Sequence, residues 1–154
     1  MNRGQINTLR RRQLDRSLAD LSLPPKPSKG WIVEVRNILG MSAAQLGHRL
    51  GIRQSTVAKL EQSERDGTIT LNSLERLAGA MSCRLVYAIV PETTYSQILD
   101  SQAKLRAEEV IGIVQSSMAL EGQSNTADVL ESEVEVLSGE LVRTLSREIW
   151  NTNE

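Results

Sequence analysis

The 154-residue chain contains no phenylalanine, one cysteine and one histidine. Trp31, Trp150, Tyr87 and Tyr95 are the only aromatic residues, so Leu, Ile, Val and Ala must supply the packing, which favours helices. The lone Cys83 excludes an intrachain disulfide framework and is expected as a packed thiol in a reducing compartment, and the lone His48, read as a surface residue, leaves no zinc set. No apolar run approaches the ~18 residues of a membrane span, and Arg10, Arg11 and Arg12 are not followed by the apolar stretch of a signal peptide. A cytoplasmic chain without a membrane partner is expected. No nucleophile and base pair, metal-ligand set, paired acids or phosphate-cradling glycine loop is visible, so neither catalysis nor a cofactor is expected.

What the chain does have is a charge polarity hidden by its net charge of -1. Residues 1–29 carry seven Lys/Arg against two Asp/Glu, residues 30–91 seven against five, and residues 92–154 four against twelve. The first part suits a polyanion and the last would be repelled by one. These parts are also the expected domains: a basic amphipathic helix with a proline-rich linker, a central domain, and an acidic helical region.

From Gln5 to Leu21, the residues Ile6, Leu9, Leu14, Leu18 and Leu21 recur at helical spacing and are expected inward, with arginines on the remaining surface. Pro24, Pro25 and Pro27 then stop the helix. A second helix, Trp31 to Leu39, would turn Ile32, Val35 and Leu39 inward. Ser42 and Gln45 form a capping-box pair that opens a third, with Leu46 and Leu50 on one side, and Gly51 supplies the left-handed conformation that a tight turn demands. A fourth helix from Gln54 carries Val57 and Leu60 inward and Gln54, Ser55 and Lys59 outward. A loop is expected from Glu64 to Thr70, then a helix over Leu71 to Met81.

Cys83 to Val90 is a β-branched-rich apolar run ending at Pro91, which reads as a strand. No second strand is evident, so Leu85, Val86, Tyr87, Ala88 and Ile89 are expected to pair with the same strand of a second chain, giving a homodimer. Beyond Pro91, Thr94 and Gln97 suggest a capping box ahead of an apolar set of Ile98, Leu105, Val110, Ile113, Val114 and Met118, and Gly122 punctuates the helix. The last helix, Ala127 to Trp150, places Leu130, Val134, Leu137, Leu141 and Leu145 on one stripe. The expected fold is mainly α, with one dimerising β-strand.

Helix, Ser-capped helix, Gly-containing turn and polar-faced helix is the order that major-groove readers use. Ser42-Ala43-Ala44-Gln45-Leu46-Gly47, Leu50-Gly51-Ile52 and Val57-Ala58-Lys59-Leu60-Glu61 resemble the lambda-repressor-like, or Xre, family of regulators across residues 30–81. The resemblance implies that Arg53, Gln54, Ser55 and Lys59 read base edges, with Thr56 beside them, and that Arg36 and Glu61 pair to brace the reading helix. Glutamine can pair bidentately with adenine, lysine can donate to guanine, and serine can serve either base. Ser55 and Thr56 have a simpler alternative as caps. The family often has a phosphate-binding glutamine where this chain has Ala43, and an alanine where it has Gly47. Backbone contacts are therefore expected from the neighbourhood of Ser42, Arg65, Thr68 or the basic N-terminal segment. A homodimer of this kind implies a double-stranded operator arranged as an inverted repeat.

In the acidic region, Ser117-Met118-Ala119-Leu120-Glu121-Gly122 resembles the Ser/Thr-x-x-x-Glu-Gly/Asn helix of proteins that restrain Fic-domain adenylyltransferases. Residues four apart share a helical face, so Ser117 and Glu121 can enter one cleft, and Gly122 would end the helix. The resemblance implies that Glu121 pairs with an arginine of the Fic motif while Ser117 helps to fix the helix. With Arg84-Leu85-Val86-Tyr87 and Pro91, the whole chain resembles the family called mobile mystery protein A, whose usual companion contains a Fic domain. Two functions are therefore expected: an antitoxin that represses its own operon and inhibits a Fic-domain toxin, or a plain repressor whose C-terminal helices serve dimerisation or ligand sensing.

Overall fold

The computed structural model describes residues 3–120 and 126–151. Among them it contains seven α-helices: α1 (Arg3–Ala19), α2 (Trp31–Ile38), α3 (Ala43–Leu50), α4 (Gln54–Arg65), α5 (Leu71–Ala80), α6 (Tyr95–Leu120) and α7 (Ala127–Thr144). A short 3-10 helix, Arg147–Trp150, follows α7. No helix among the described residues is long and apolar enough to cross a membrane. The chain divides into two compact units, one of residues 22–89 and one of residues 1–21 with 90–154, so α1 belongs with the C-terminal helices and does not stand apart.

The first unit, α2 to α5, closes around Ile32, Leu46, Val57, Leu77 and Met81. Leu39, read as an inward residue, lies exposed just past the end of α2. The turn between α3 and α4 has two local causes. Ser42 and Gln45 make the full capping box, the Gln45 amide donating to the Ser42 hydroxyl at 3.1 Å and the Ser42 amide to Gln45 Oε1 at 2.7 Å. Gly51 ends α3 in the left-handed conformation, φ 68°.

Helix α4 runs further than its sequence suggests, taking in Glu64 and Arg65. The reason is that Glu64 is not a loop residue. Its carboxylate is buried and accepts hydrogen bonds from the amides of Trp31 at 2.7 Å and Ile32 at 3.0 Å, satisfying the otherwise unpaired donors at the start of α2. Gly30 precedes them with φ 88°, and a Cβ there would lie 2.7 Å from Glu64 Oε2. The Lys26 ammonium donates to the Glu64 carbonyl at 2.9 Å, tying the proline-containing linker to the same helix end.

The strand expected over Cys83 to Val90 is absent: the segment has no regular secondary structure, and no strand occurs among the described residues. A ladder needs two extended segments, and the described residues offer no second one. Val86, Tyr87, Ile89 and Val90 are consequently exposed, and so is Cys83, against its reading as a packed thiol.

In the second unit α6 and α7 lie side by side around Leu99, Ala103, Leu141 and Ile149, with Leu137, Val142 and Leu145 packed against them. The fully buried Ala103 and Ala107 make the inward line of α6 a small-residue line that lets α7 approach. This overturns the apolar set read for α6: Leu105, Ile113 and Val114 point outward and are exposed. Helix α7 ends at Thr144 because Leu145 turns left-handed at φ 50°, so the chain reaches Trp150 through the 3-10 helix.

Helix α1 packs in the opposite sense to its apolar spacing. Ile6, Leu9, Leu14 and Leu21 are exposed, whereas Gly4, Asn7, Thr8, Arg11, Asp15 and Leu18 are half-buried. What turns the helix is polar. The Asp15 carboxylate caps α6, accepting from the amides of Tyr95 at 2.7 Å and Ser96 at 3.2 Å and from the Ser96 hydroxyl at 2.7 Å, while Arg11 Nε donates to that hydroxyl at 3.2 Å. Thr94 completes the cap by accepting from the Gln97 amide at 3.0 Å. At Gly4 a Cβ would lie 2.7 Å from the Arg143 carbonyl oxygen, so α1 meets α7 where there is no side chain.

The hydrogen bond from the Ser96 hydroxyl, with those from the Tyr95 and Ser96 amides and the nearby Arg11, outweighs partial desolvation and holds the Asp15 carboxyl below its ordinary value of 3.8. A lowered folded-state value means that the stabilisation is present at neutral pH and is lost as pH falls through that value. Asp15→Ala is therefore expected to lower the melting temperature at neutral pH, with the gap from wild type closing below pH 3.8 in parallel thermal melts; a gap independent of pH would contradict the capping role.

Candidate nucleic-acid interface

Helix α4 is sorted by charge. Glu61 and Glu64, its two carboxylates, both face inward and are buried. Glu61 Oε1 lies 2.9 Å from Arg36 Nε of α2, and the guanidinium also donates through Nη1 to the Met41 carbonyl at 2.9 Å. Arg36 thus joins α2, the turn before α3, and α4. With both acids turned inward, the outer face of the helix carries no carboxylate to repel an anion.

On that outer side Arg53, Gln54, Ser55, Thr56 and Lys59 are all exposed. None of their side chains makes a hydrogen bond or ion pair among the described residues. The first position, Arg53, caps the helix without a side-chain hydrogen bond, and neither Ser55 nor Thr56 serves as a cap. The Thr56 amide donates to the Arg53 carbonyl at 2.9 Å, while those of Gln54 and Ser55 make no hydrogen bond among the described residues, at the end of the helix where the backbone dipole favours negative charge. Lys59, one turn on from Ser55, extends the same face.

The other candidate contacts are more occupied. The Ser42 hydroxyl is the α3 cap. Arg65 Nη2 donates to Gln62 Oε1, and Gln62 Nε2 donates in turn to Asp66 at 2.8 Å and 3.0 Å, so Arg65 is held in a chain of three side chains. Thr68 leans on the Ser63 carbonyl at 3.4 Å. His48 and Arg49 are exposed at the end of α3. Gln62 is the member that sequence reasoning passed over, although its spacing of seven from Ser55 and three from Lys59 places it on their face.

Gly47 has a spatial reason. It is buried, and a Cβ there would lie 2.7 Å from the Ile52 carbonyl oxygen and 3.4 Å from the Gln54 amide nitrogen. The turn passes directly over α3 at this point, which fixes where α4 begins. Ser117 lies exposed in the last turns of α6, its hydroxyl donating to the Ile113 carbonyl at 3.2 Å. Glu121 and Gly122 lie outside the described residues. Among the described residues no group of His, Cys, Asp and Glu could hold a metal ion.

The family model described as helix-turn-helix matches residues 32–87, taking in α2 to α5 and the segment after α5, and leaving α1, α6 and α7 outside. No curated protein and no solved structure matches the chain. Residues 32–87 are therefore a helix-turn-helix domain of the Xre-like type.

The pair between Arg36 and Glu61 is largely enclosed, so removing one partner leaves a charge without compensation. Glu61→Ala is expected to cost roughly 2–4 kcal/mol of folding stability in urea unfolding, and Arg36→Met in the same chain to recover part of it. Strictly additive losses would contradict a bracing pair.

Proposed function

We propose that this protein is a sequence-specific DNA-binding transcription regulator that reads the major groove with α4. One observation carries the reading: the outward side chains of α4, from Arg53 to Lys59, are cationic or neutral and unpaired, while its two glutamates are spent inside the fold. In this reading Gln54, Ser55 and Lys59 meet base edges. Arg53, Thr56, the region of Ser42, Arg65 and Thr68 meet phosphates.

The regulator acts as a homodimer. Val86 and Tyr87 are exposed in a segment of no regular secondary structure, and pairing residues 85–89 with the same residues of a second copy would bury them in a ladder. Two reading helices related by a twofold axis require half-sites about 10 base pairs, or a multiple, apart.

Selection of bound duplexes from a randomised pool tests the reading. The expected product is an inverted repeat with that spacing, and Gln54→Ala is expected to abolish preference at one position of each half-site, a discrimination of about 1–3 kcal/mol. Enrichment of no motif, or one unaltered by Gln54→Ala, would contradict direct readout.

The finer reading, an antitoxin that restrains a Fic-domain toxin, rests on the resemblance around Ser117 and on the exposure of that residue near the end of α6. Its test is adenylylation by a Fic-domain protein encoded beside this one, in the presence of wild-type or Glu121→Gly protein. Loss of inhibition with binding retained is expected. Equal inhibition by both, or no binding, leaves a plain repressor.

A further inference from the structure

Helix α1 holds Arg10, Arg11, Arg12 and Arg16 and packs against α6 and α7, which belong to the most acidic part of the chain. Salt bridges between these elements would be the obvious way to join them. None forms: the ion pairs among the described residues are Arg36 with Glu61, Arg106 with Glu109, and Arg143 with Glu140. Asp15, the carboxylate that α1 turns inward, is engaged with the start of α6, and Arg11 goes with it. Arg10, Arg12 and Arg16 are exposed and make no hydrogen bond or ion pair among the described residues.

Their arrangement is not uniform around the helix. Arg12 and Arg16 are four residues apart and share one face, whereas Arg10 lies about 160° away from Arg12 around the axis at 100° per residue. The side of α1 that carries Arg12 borders an open groove of about 780 Å³ between α1, α6 and α7, lined by Arg11, Arg12 and Arg143 and by a single carboxylate, Asp100. Thr8, Gln5 and Ser96 add polar groups to its walls. Arg143 is paired with Glu140 at 3.3 Å and Arg11 is engaged with Ser96 beside Asp15, which leaves Arg12, with Arg16 one turn on, as the open cationic edge on a unit whose other helices are acidic. Its complement is a row of regularly spaced negative charges, which is what the backbone of a duplex presents.

We propose that the Arg12 and Arg16 face of α1 is a contact for the phosphate backbone of duplex DNA. This rests on the DNA-binding reading given above. The contact adds affinity without sequence information and draws on charge that the unit's own acids leave unused.

The test is the salt dependence of binding to a labelled random-sequence duplex and to the selected operator, between about 50 and 200 mM salt. Arg12→Ala with Arg16→Ala is expected to flatten the slope of log K against log salt by about two, equally on both duplexes, and to weaken binding by tenfold or more at the low end of that range. Alanine is the best helix former, so α1 is retained, which circular dichroism checks. Arg10→Ala, with the same loss of charge per residue, is expected to change the slope by clearly less than either of the other two alone. An unchanged slope in the double variant, with wild type bound, overturns this contact and leaves α4 as the reader. Equal effects of Arg10 and Arg12 overturn the assignment to one face. Loss of self-association in sedimentation with the DNA slope unchanged gives the face to a second copy instead. Failure of the wild-type protein to bind either duplex removes the regulator reading itself, and this contact with it.

Discussion

The inward turn of two glutamates on α4 is the constraint on which the helix-turn-helix unit of this protein depends. A helix of alternating acids and bases on all sides would offer a polyanion a mixed surface. Here Glu61 is neutralised by Arg36, and Glu64 gives its charge to the amides that open α2, so α4 is locked to α2 by the same groups that would otherwise spoil its outer face. Hydrogen bonds to a buried carboxylate are worth more than neutral ones, and leaving either side unpaired is costly, so the lock is stiff. Rigidity matters because base readout tolerates little error in the placement of the reading side chains.

The second unit uses the same chemistry at a different place. Asp15 on α1 caps α6 much as Glu64 on α4 caps α2: a carboxylate far away in sequence meets the open amides at a helix start. In both cases the acid is consumed in folding and a basic face is left uncovered nearby. At these two places the acid is used internally while Lys59, Arg12 and Arg16 stay exposed, and it is this local separation of charge on which the DNA-binding reading rests.

Much of the helix-turn-helix was legible because its signals are local. Ser42 with Gln45, and Gly51 eight residues after Ala43, fix the boundaries of α3 through groups only a few residues apart. The outward placement of Gln54, Ser55 and Lys59 followed from helical spacing, while Arg53, Thr56 and the Arg36 and Glu61 pairing came through family resemblance. The part played by Glu64 was not legible, since its partners lie 32 and 33 residues away and nothing in the local pattern points to them. Helix α1 misled for a related reason. Its leucines repeat at helical spacing, but the face it turns inward is chosen by Asp15 meeting Ser96 and by the close approach at Gly4. In α6 the large apolar residues drew attention while small Ala103 and Ala107 made the contact, and the end of α7 depends on a leucine at positive φ that no propensity rule would place there. The segment 83–90 has strand-forming residues without a strand, because a ladder is a property of two segments and not of one.

The central claim is that α4 is the surface that meets DNA. Amide chemical shifts of nitrogen-labelled protein, followed while the selected duplex is added, test it most directly. The account predicts that the largest changes fall on Arg53 to Lys59, with the buried amides of Val57 and Leu46 shifting less than their exposed neighbours. Changes confined to residues outside α3 and α4, or none at a saturating duplex concentration, would contradict it.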